Sequence, residues 1–580
     1  MDQNLLARAR AWIANDPDPR TRAELAALLD AAHLDSSASA AAELADRLDG
    51  RLAFGTAGIR GEVAAGSNRI NLAVVRQTAW ALAQVLIGRP TKASGTVIVG
   101  NDARPDSPSF AADMAATLAA AGLDVWCFDA PVPTPIVAFH ARAVGASAAV
   151  VVTASHNPRA DNGIKVYDDH GVQIVGPWDT MISAAIADAP GAVDITRDHS
   201  SVRRLGAEVE AAYRQALLSR LPTARPRSSV VVVATALHGV GAGPLTRLLG
   251  DAGHRVEHVA EQEQPDGTFP TLAFPNPEEP GALDLALDLA RRRGADIVLA
   301  NDPDADRLAV ALPDGQGGHA PLTGNDVGVL LADALLQERA GQSTSARLVV
   351  ASSIVSSPQL AVLAASHGAE HRWTLTGFKW IWHALLDAER AGCIPVLGYE
   401  EALGYAVDPS VRDKDGLSAA LAIVDLAARE ADRGRTLADR LDAIAMVTGV
   451  WASAQVSARF SGDDAAESMA AAMAMLRTTP PTRLADHPIR GATDFAVGAE
   501  TRPSWFGAQN LLSYELGRSQ DVDVEGRVLV RPSGTEPKLK VYVDLRASIA
   551  GPAEPRAALG ALRARAMTIG TDVLRALGLA

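Results

Sequence analysis

A chain of 580 residues with a formal net charge of −14 is too long for one hydrophobic core at the usual ~150 residues per domain, so several domains are expected. The acidic excess, 68 Asp and Glu against 54 Lys and Arg, argues against nucleic acid or an anionic membrane as the main partner, because both require a basic face. Two cysteines, Cys127 and Cys393, make neither a disulfide framework nor a zinc cluster. With no secretion-type N-terminus and no run of ~18 uncharged apolar residues, a cytoplasmic chain without membrane contact is the expectation.

The predicted elements begin with helices over residues 1–50, where LLARARAWI has helical apolar spacing and Thr21 with Glu24 resembles a capping box. From about residue 96, short Val- and Ile-rich runs (TVIVGND, LDVWCFD, SAAVVVTAS) alternate with Ala- and Leu-rich stretches, the α/β pattern of a covered, largely parallel sheet. The pattern restarts at SSVVVVATALHG, continues through ADIVLAND and restarts again at ARLVVASSIV. Residues 451–580 differ, with a helical AAESMAAAMAML, strand-like VLVRPSG and KVYVDLRA and a closing helix, an α+β composition; 451–520 is hard to parse. The expected division is a helical arm 1–50, α/β blocks 51–222, 223–324 and 325–450, and an α+β block 451–580.

Four loops could carry chemistry. In TASHNPRADNGIKVY, residues 153–167, Ser155 follows a buried-strand candidate, the usual place of a ligand site in open α/β sheets, with His156, Arg159 and Lys165 nearby. A serine in a plain turn would read the same way. NDPDADR, residues 301–307, sets Asp302, Asp304 and Asp306 at intervals of two after another strand. Three crowded carboxylates repel unless a cation neutralises them, and Mg²⁺ is the oxygen-loving candidate, although a solvated acidic turn is the bland alternative. The positions an EF-hand would fill with Gly and Glu hold Arg307 and Pro313, so calcium sensing is excluded.

LGYEEALGY, residues 397–405, brings Glu400 and Glu401 together, acceptors suited to sugar hydroxyls or simply acids at a helix start. Around it, TLTGFKW and VRDKDG hold Lys379, Arg412 and Lys414, which surface charge would equally explain. In VRPSGTEPKLKVY, residues 530–542, Arg531, Ser533, Gly534 and Thr535 offer a fork donor, hydroxyls and exposed N–H groups for a phosphate; a hairpin loop accounts for all but the Arg. The Gly-rich ALHGVGAGP is a weak dinucleotide signal, since Pro244 replaces the third glycine, and no Walker A sequence is present.

Taken together these loops resemble the α-D-phosphohexomutase superfamily, the phosphoglucomutase and phosphomannomutase enzymes. FGTAGIRG, TASHNP with DNGIKVY, HGVG, FPNPEE, DPDADR, TGFKW, GYEEALGY, DKDG and RPSGTEPKLKVY occur in the family's order between about Arg51 and Ala547. The wording is most similar to the phosphopentomutase-like phosphoglucomutase branch. The resemblance implies three similar α/β domains with mixed sheets and a C-terminal α+β domain, each giving one loop to a central active-site cleft. It implies that Ser155 is the phosphoserine and a Mg²⁺ ligand with Asp302, Asp304 and Asp306, and that His156, Lys165, Arg60 and Arg307 serve the reacting groups, Lys165 as a base of lowered pKa. Thr376, Gly377, Lys379, Glu400 and Glu401 would bind the sugar, and Arg531, Ser533, Gly534 and Thr535 its non-reacting phosphate. Ile164 and Asp168 depart from the pattern and would alter access to the serine loop, bearing only on fine specificity.

The implied reaction is a phosphosugar mutase, in which a phosphoserine and a sugar 1,6-bisphosphate intermediate exchange a phosphoryl group between the 1-position and the terminal hydroxyl. Glucose 1-phosphate is the expected substrate. Phosphopentomutase, phosphomannomutase, bisphosphate synthase, phosphatase and an inactive sugar-phosphate-binding regulator are the alternatives. A small sugar phosphate is the expected partner of a monomer or homodimer.

Overall fold

The computed structural model describes residues 2–34, 38–52, 54–55, 58–89, 95–221, 226, 230–341, 346–461, 465–518, 523–533, 538–548 and 555–579. The chain forms two compact units, the first from residues 1–321 and 404–425, the second from 322–403 and 426–580.

In the first unit the arm is helical as expected, Gln3–Asn15, Pro19–Leu34 and Ala38–Arg47, closed on itself by Leu5, Leu25, Leu29, Leu44 and Leu48. The capping box is not formed. Pro19, whose fixed φ suits a first helical turn, starts the second helix two residues before Thr21. The Thr21 hydroxyl donates instead to Asp16 Oδ2 at 2.7 Å, and Glu24 Oε2 accepts the N–H of Ala65 at 3.2 Å.

Two sheets of this unit share one plan. In the first, the parallel strands Ala148–Val152, Thr96–Asn101, Asp124–Phe128 and Arg203–Leu205 form one side, and Asp161–Tyr167 then Ile59–Glu62 add antiparallel at the other edge. In the second, Ile297–Ala300, Val232–Thr235 and Val256–His258 are parallel, and Ala309–Pro313 then His319–Pro321 are antiparallel. Strands such as Ala148–Val152 and Ile297–Ala300 are wholly buried, which is why they read as continuous apolar runs rather than alternating ones. The serine loop and the acidic loop therefore hold the same topological position, each between a parallel strand and its antiparallel neighbour. Ile164 sits in the core against Ile59 and Val152, and Asp168 Oδ1 accepts the N–H groups of His170 and Val172. Both departures from the family wording are thus structural.

In the second unit Leu348–Ser353 pairs in parallel with Glu370–Thr374 and Ile394–Glu400. Its other sheet is antiparallel and six-stranded, running from Val450–Arg459 through Lys538–Ala547, Val524–Pro532, Leu512–Leu516 and His487–Asp494 to Arg483–Leu484. The helices Ala465–Thr478 and Pro555–Ala576 share a core with it through Met473, Leu476, Ile569 and Val573.

Candidate active site

Beyond the buried strand Ala148–Val152, Thr153 Oγ1 donates to Asp102 Oδ2 at 2.6 Å and accepts the N–H of Ser155 at 2.8 Å. Ser155 has φ +53°, a left-handed conformation that costs a non-glycine residue energy and persists only where surroundings impose it. Arg104, 1% exposed, supplies much of that imposition. Its guanidinium donates to the carbonyls of Ser155 (2.9 Å), Asn157 (2.6 Å), Pro158 (2.7 Å) and Asp161 (2.8 Å), with Nε 3.2 Å from Asp102 Oδ2. Neither Asp102 nor Arg104 was singled out from the sequence; a charged pair directly after the strand Thr96–Asn101 was the available signal. The strained backbone directs Ser155 Oγ to Asp302 Oδ2, where it donates at 2.8 Å, and leaves His156 Nδ1 3.2 Å away.

The acidic loop is held as firmly. Asp302 Oδ1 accepts the N–H of Arg307 at 3.0 Å, and Asp304 Oδ2 accepts the hydroxyl of Thr134 at 2.6 Å. Gly239 and Gly416 let neighbouring backbone approach: a Cβ at Gly239 would lie 2.4 Å from Pro303 Cα, and one at Gly416 would lie 2.3 Å from the Arg307 carbonyl. The HGVG segment, a weak cofactor signal in sequence, is thus a support for the acidic loop, with Val240 N donating to Pro303 O at 2.9 Å.

Lys165 Nζ bridges Asp304 Oδ2 and Asp306 Oδ2, 2.6 Å from each, and Lys414 Nζ lies 3.2 Å from Asp306 Oδ2. Lys414 is buried, so it is no surface charge; the segment 404–425 that brings it is the part of this unit most distant in sequence. Arg307 Nε is 4.0 Å from Asp302 and Asp306, with Nη1 3.5 Å from Glu278, and Arg60 Nη1 donates to Asn157 Oδ1 at 3.3 Å. Arg159 is exposed.

Charge and burial oppose each other here. Burial, then the charges of Asp306 and Asp304, push the Asp302 carboxyl well above the usual carboxylate range. Burial would also raise Asp304 and Asp306, but Lys165 carries both below it, helped at Asp306 by Lys414 and Arg307. Burial with the Arg307 and Arg60 charges keeps His156 neutral. Lys165 departs from expectation: burial alone would lower it, but the facing Asp304 and Asp306 raise it, so in this arrangement Nζ is a cation.

Three carboxylate oxygens, one from each of Asp302, Asp304 and Asp306, lie within 4.8 Å of one another, and among the described residues Asp304 Oδ1 and Asp306 Oδ1 are buried with no hydrogen-bond partner. An all-oxygen donor set with unmet acceptors fits a small hard divalent cation such as Mg²⁺.

In the second unit, Gly377 has φ +110° ahead of the helix Phe378–Arg390, and Lys379 is buried with Nζ 5.3 Å from the Trp380 ring centroid. Thr376 Oγ1 accepts from Arg531 Nη1 at 2.9 Å. Glu400 ends the strand Ile394–Glu400; Glu401 Oε2 accepts the hydroxyls of Ser353 (3.0 Å) and Ser356 (3.1 Å). Ser533 N donates to Lys538 O at 2.7 Å. Gly534 and Thr535 lie outside the described residues.

Four family profiles match the chain in order. They are described as phosphoglucomutase/phosphomannomutase α/β/α domains I, II and III, over residues 51–190, 211–316 and 323–446, and the C-terminal domain, over 519–548. A Haemophilus influenzae protein named "probable phosphomannomutase" is 40% identical over 495 residues, 83% of this chain and 93% of that one. A Schizosaccharomyces pombe protein named "probable phosphoribomutase" is 33% identical over 569 residues, 94% of each. The crystal structure of parafusin, a Paramecium phosphoglucomutase in its open form, shares the fold at a TM-score of 0.66 and 19% identity, covering 90% of this chain and 95% of its own.

Proposed function

The chain belongs to the α-D-phosphohexomutase superfamily, a family of phosphosugar mutases, and from that membership and the geometry of the serine loop we propose that Ser155 is its phosphoryl carrier. The enzyme is an isomerase of the intramolecular phosphotransferase type, and its substrate is a small sugar phosphate. The observation that carries the assignment is Ser155 Oγ held 2.8 Å from Asp302 by a strained backbone that Arg104 and Thr153 fix.

In the proposed reaction, the free hydroxyl of a sugar monophosphate attacks the phosphorus of phosphoserine 155. The bond from phosphorus to Ser155 Oγ breaks as the bond to the sugar oxygen forms, giving a sugar bisphosphate. The bisphosphate turns over, and its other phosphoryl group passes back to Ser155 Oγ, so no phosphate is consumed. The proton lost by the attacking hydroxyl passes to the neutral His156 beside the serine and is returned in the second transfer, while Lys165, a cation here, adds positive charge near the moving group. Arg60 and Arg307 balance charge on the moving group, since phosphoryl transfer depends on positioning and electrostatics. Asp302, Asp304, Asp306 and the serine oxygen would hold Mg²⁺, which supplies charge neutralisation to the phosphoryl oxygens. Glu400 and Glu401 bind sugar hydroxyls with Thr376, Gly377 and Lys379, and Arg531, Ser533, Gly534 and Thr535 hold the phosphate that is not reacting.

The sugar is read as glucose. A mutase accepts its substrate in two orientations, so the hydroxyls it reads should fall in nearly the same places after the sugar is turned, as the middle hydroxyls of a hexopyranose do. Two adjacent acceptors suit that pair. Ribose is the second reading, favoured by the relative named for phosphoribomutase. The division at about 222, 324 and 450 into four domains is likewise our reading, and a monomer or homodimer suffices for the chemistry.

A ³¹P NMR time course with glucose 1-phosphate and Mg²⁺ tests the function: a mutase yields glucose 6-phosphate with neither inorganic phosphate nor accumulating bisphosphate. Ser155→Ala should keep the fold and lose on the order of 10³-fold or more in kcat, as loss of a covalent nucleophile does. Wild-type rates in that variant would remove the assignment. Parallel assays with mannose and ribose 1-phosphates settle the sugar.

A further inference from the structure

The segment joining His487–Asp494 to Leu512–Leu516 lies between residues 446 and 519, outside every matched family profile. It is braced from within. Arg502 Nη2 donates to the carbonyls of Phe495 (2.9 Å) and Val497 (2.8 Å), and its guanidinium lies 5.2 Å and 5.8 Å from the ring centroids of Phe495 and Phe506. Those rings meet at 5.5 Å and back onto buried Ile354, Leu511, Leu529 and Tyr542. A loop so held gives the amide side chain of Gln509 a fixed place. Gln509 N donates to Phe495 O at 3.0 Å, and Trp505 O accepts the N–H of Leu375, next to Thr376, at 3.1 Å.

Gln509 Nε2 donates to Thr376 Oγ1, which also accepts from Arg531 Nη1 at 2.9 Å. A hydroxyl oxygen has two lone pairs. Two donors fill them, so the Thr376 proton is given outward. Two further atoms of the cluster, Gln509 Oε1 and Arg531 Nε, are buried with no partner among the described residues. Such atoms call for a ligand or a reason. The open set is therefore two donors, Thr376 O–H and Arg531 Nε–H, and one acceptor, Gln509 Oε1. A bare phosphate dianion would satisfy the donors and set negative charge against the amide oxygen. A phosphate ester with a hydroxyl on the adjoining carbon satisfies all three.

We infer that Gln509 accepts a hydrogen bond from the sugar hydroxyl beside the non-reacting phosphate, which in a sugar 1-phosphate is the 2-hydroxyl. This rests on the reading of Arg531 as a holder of that phosphate, gives the Thr376 hydroxyl bonded to Arg531 a share in holding it, and adds the side chain that selects its neighbour.

The test compares kcat/KM for two pairs, glucose against 2-deoxyglucose 1-phosphate and ribose against 2-deoxyribose 1-phosphate, in wild type, Gln509→Ala and Gln509→Met. For the pair the enzyme turns over, wild type should favour the 2-hydroxyl by about tenfold or more, since a group built to bond a hydroxyl rejects the analogue lacking it. Either variant should narrow that ratio to within about threefold, chiefly through a higher KM for the hydroxylated sugar, because the contact is a binding one. Gln509→Met keeps side-chain length without the acceptor, and serves if the alanine variant does not fold. A wild-type ratio near unity, or a ratio that survives both substitutions, overturns the inference. Arg531→Ala separates the underlying reading: an undiminished affinity for both members of the pair would defeat the assignment of the phosphate holder, whatever Gln509 does.

Discussion

Ser155 depends on residues that never meet the substrate. Thr153 is the clearest, because its hydroxyl both donates to Asp102 and accepts the Ser155 N–H. Thr153→Val keeps the shape, leaves the buried Ser155 N–H unpaired at about 1 to 3 kcal/mol, and removes one of the two donors on Asp102 Oδ2, which keeps Arg104 Nε. The expected outcome is a kcat at least about tenfold lower with KM within about twofold, while Thr153→Ser restores turnover; steady-state kinetics on the three proteins checks it. At the acidic loop, Asp304→Asn removes one of three clustered carboxylates and unbalances Lys165. Calorimetric titration of chelator-stripped protein should show Mg²⁺ affinity down by roughly 10- to 100-fold. Unchanged affinity would mean the cation is held elsewhere.

Among the elements, the two glycines at either end of one stretch separate support from padding. Gly239 presses on Pro303, where a Cβ would meet Pro303 Cα at 2.4 Å, so Gly239→Ala must part the HGVG segment from the acidic loop. Overpacking of this kind costs about 1 to 3 kcal/mol, and it should raise the Mg²⁺ concentration needed for half-maximal activity. Gly250, in the helix Ala242–Asp251, has nothing within 4 Å of a Cβ. Gly250→Ala should therefore stabilise by about 0.5 to 1 kcal/mol through lower unfolded-chain entropy, with kinetics unaltered. Thermal melts read beside Mg²⁺ titrations distinguish the pair.

At the scale of the molecule, the chain leaves the first unit after residue 321 and returns to it over 404–425. The return is fastened by buried hydrogen bonds, Tyr167 to Asp413 at 2.6 Å and Tyr213 to Asp415 at 2.8 Å. Burial pushes the Asp415 carboxyl up to about 6 from its ordinary 3.8, against hydrogen bonds from Ser418, Tyr213 and Leu417. The folded state then binds the extra proton between those values, so this group's contribution to stability is fully present below pH 3.8 and is lost as pH rises through 6. At about 1.36 kcal/mol per pH unit the difference is at most roughly 3 kcal/mol. Asp415→Asn should flatten the decline in the first unit's stability across that window, as followed by hydrogen exchange at Tyr213 and its neighbours. An unaltered slope would place the titration in another group.

The sequence by itself determined the chemistry that is local in the chain. Ser155 after Ala148–Val152 and the triple Asp after Ile297–Ala300 were legible, because a wholly buried strand must be a continuous apolar run and the loop that follows it must surface. The strand His487–Asp494 was not, since only His487 is buried and no alternation marks a face. The tertiary structure alone decided what depends on partners far apart in sequence. Arg104 reads as one more charged residue until four carbonyls of another loop converge on it, and Lys414 reads as surface until Asp306 lies beside it. The resemblance implies a Lys165 base of lowered pKa; burial would lower it, but the two carboxylates that face it reverse the sign, because opposite charges at 2.6 Å outweigh desolvation. Burial, pairing and charge balance are properties of neighbours in space, and those neighbours come from segments up to 249 positions from Lys165 along the chain, at Lys414.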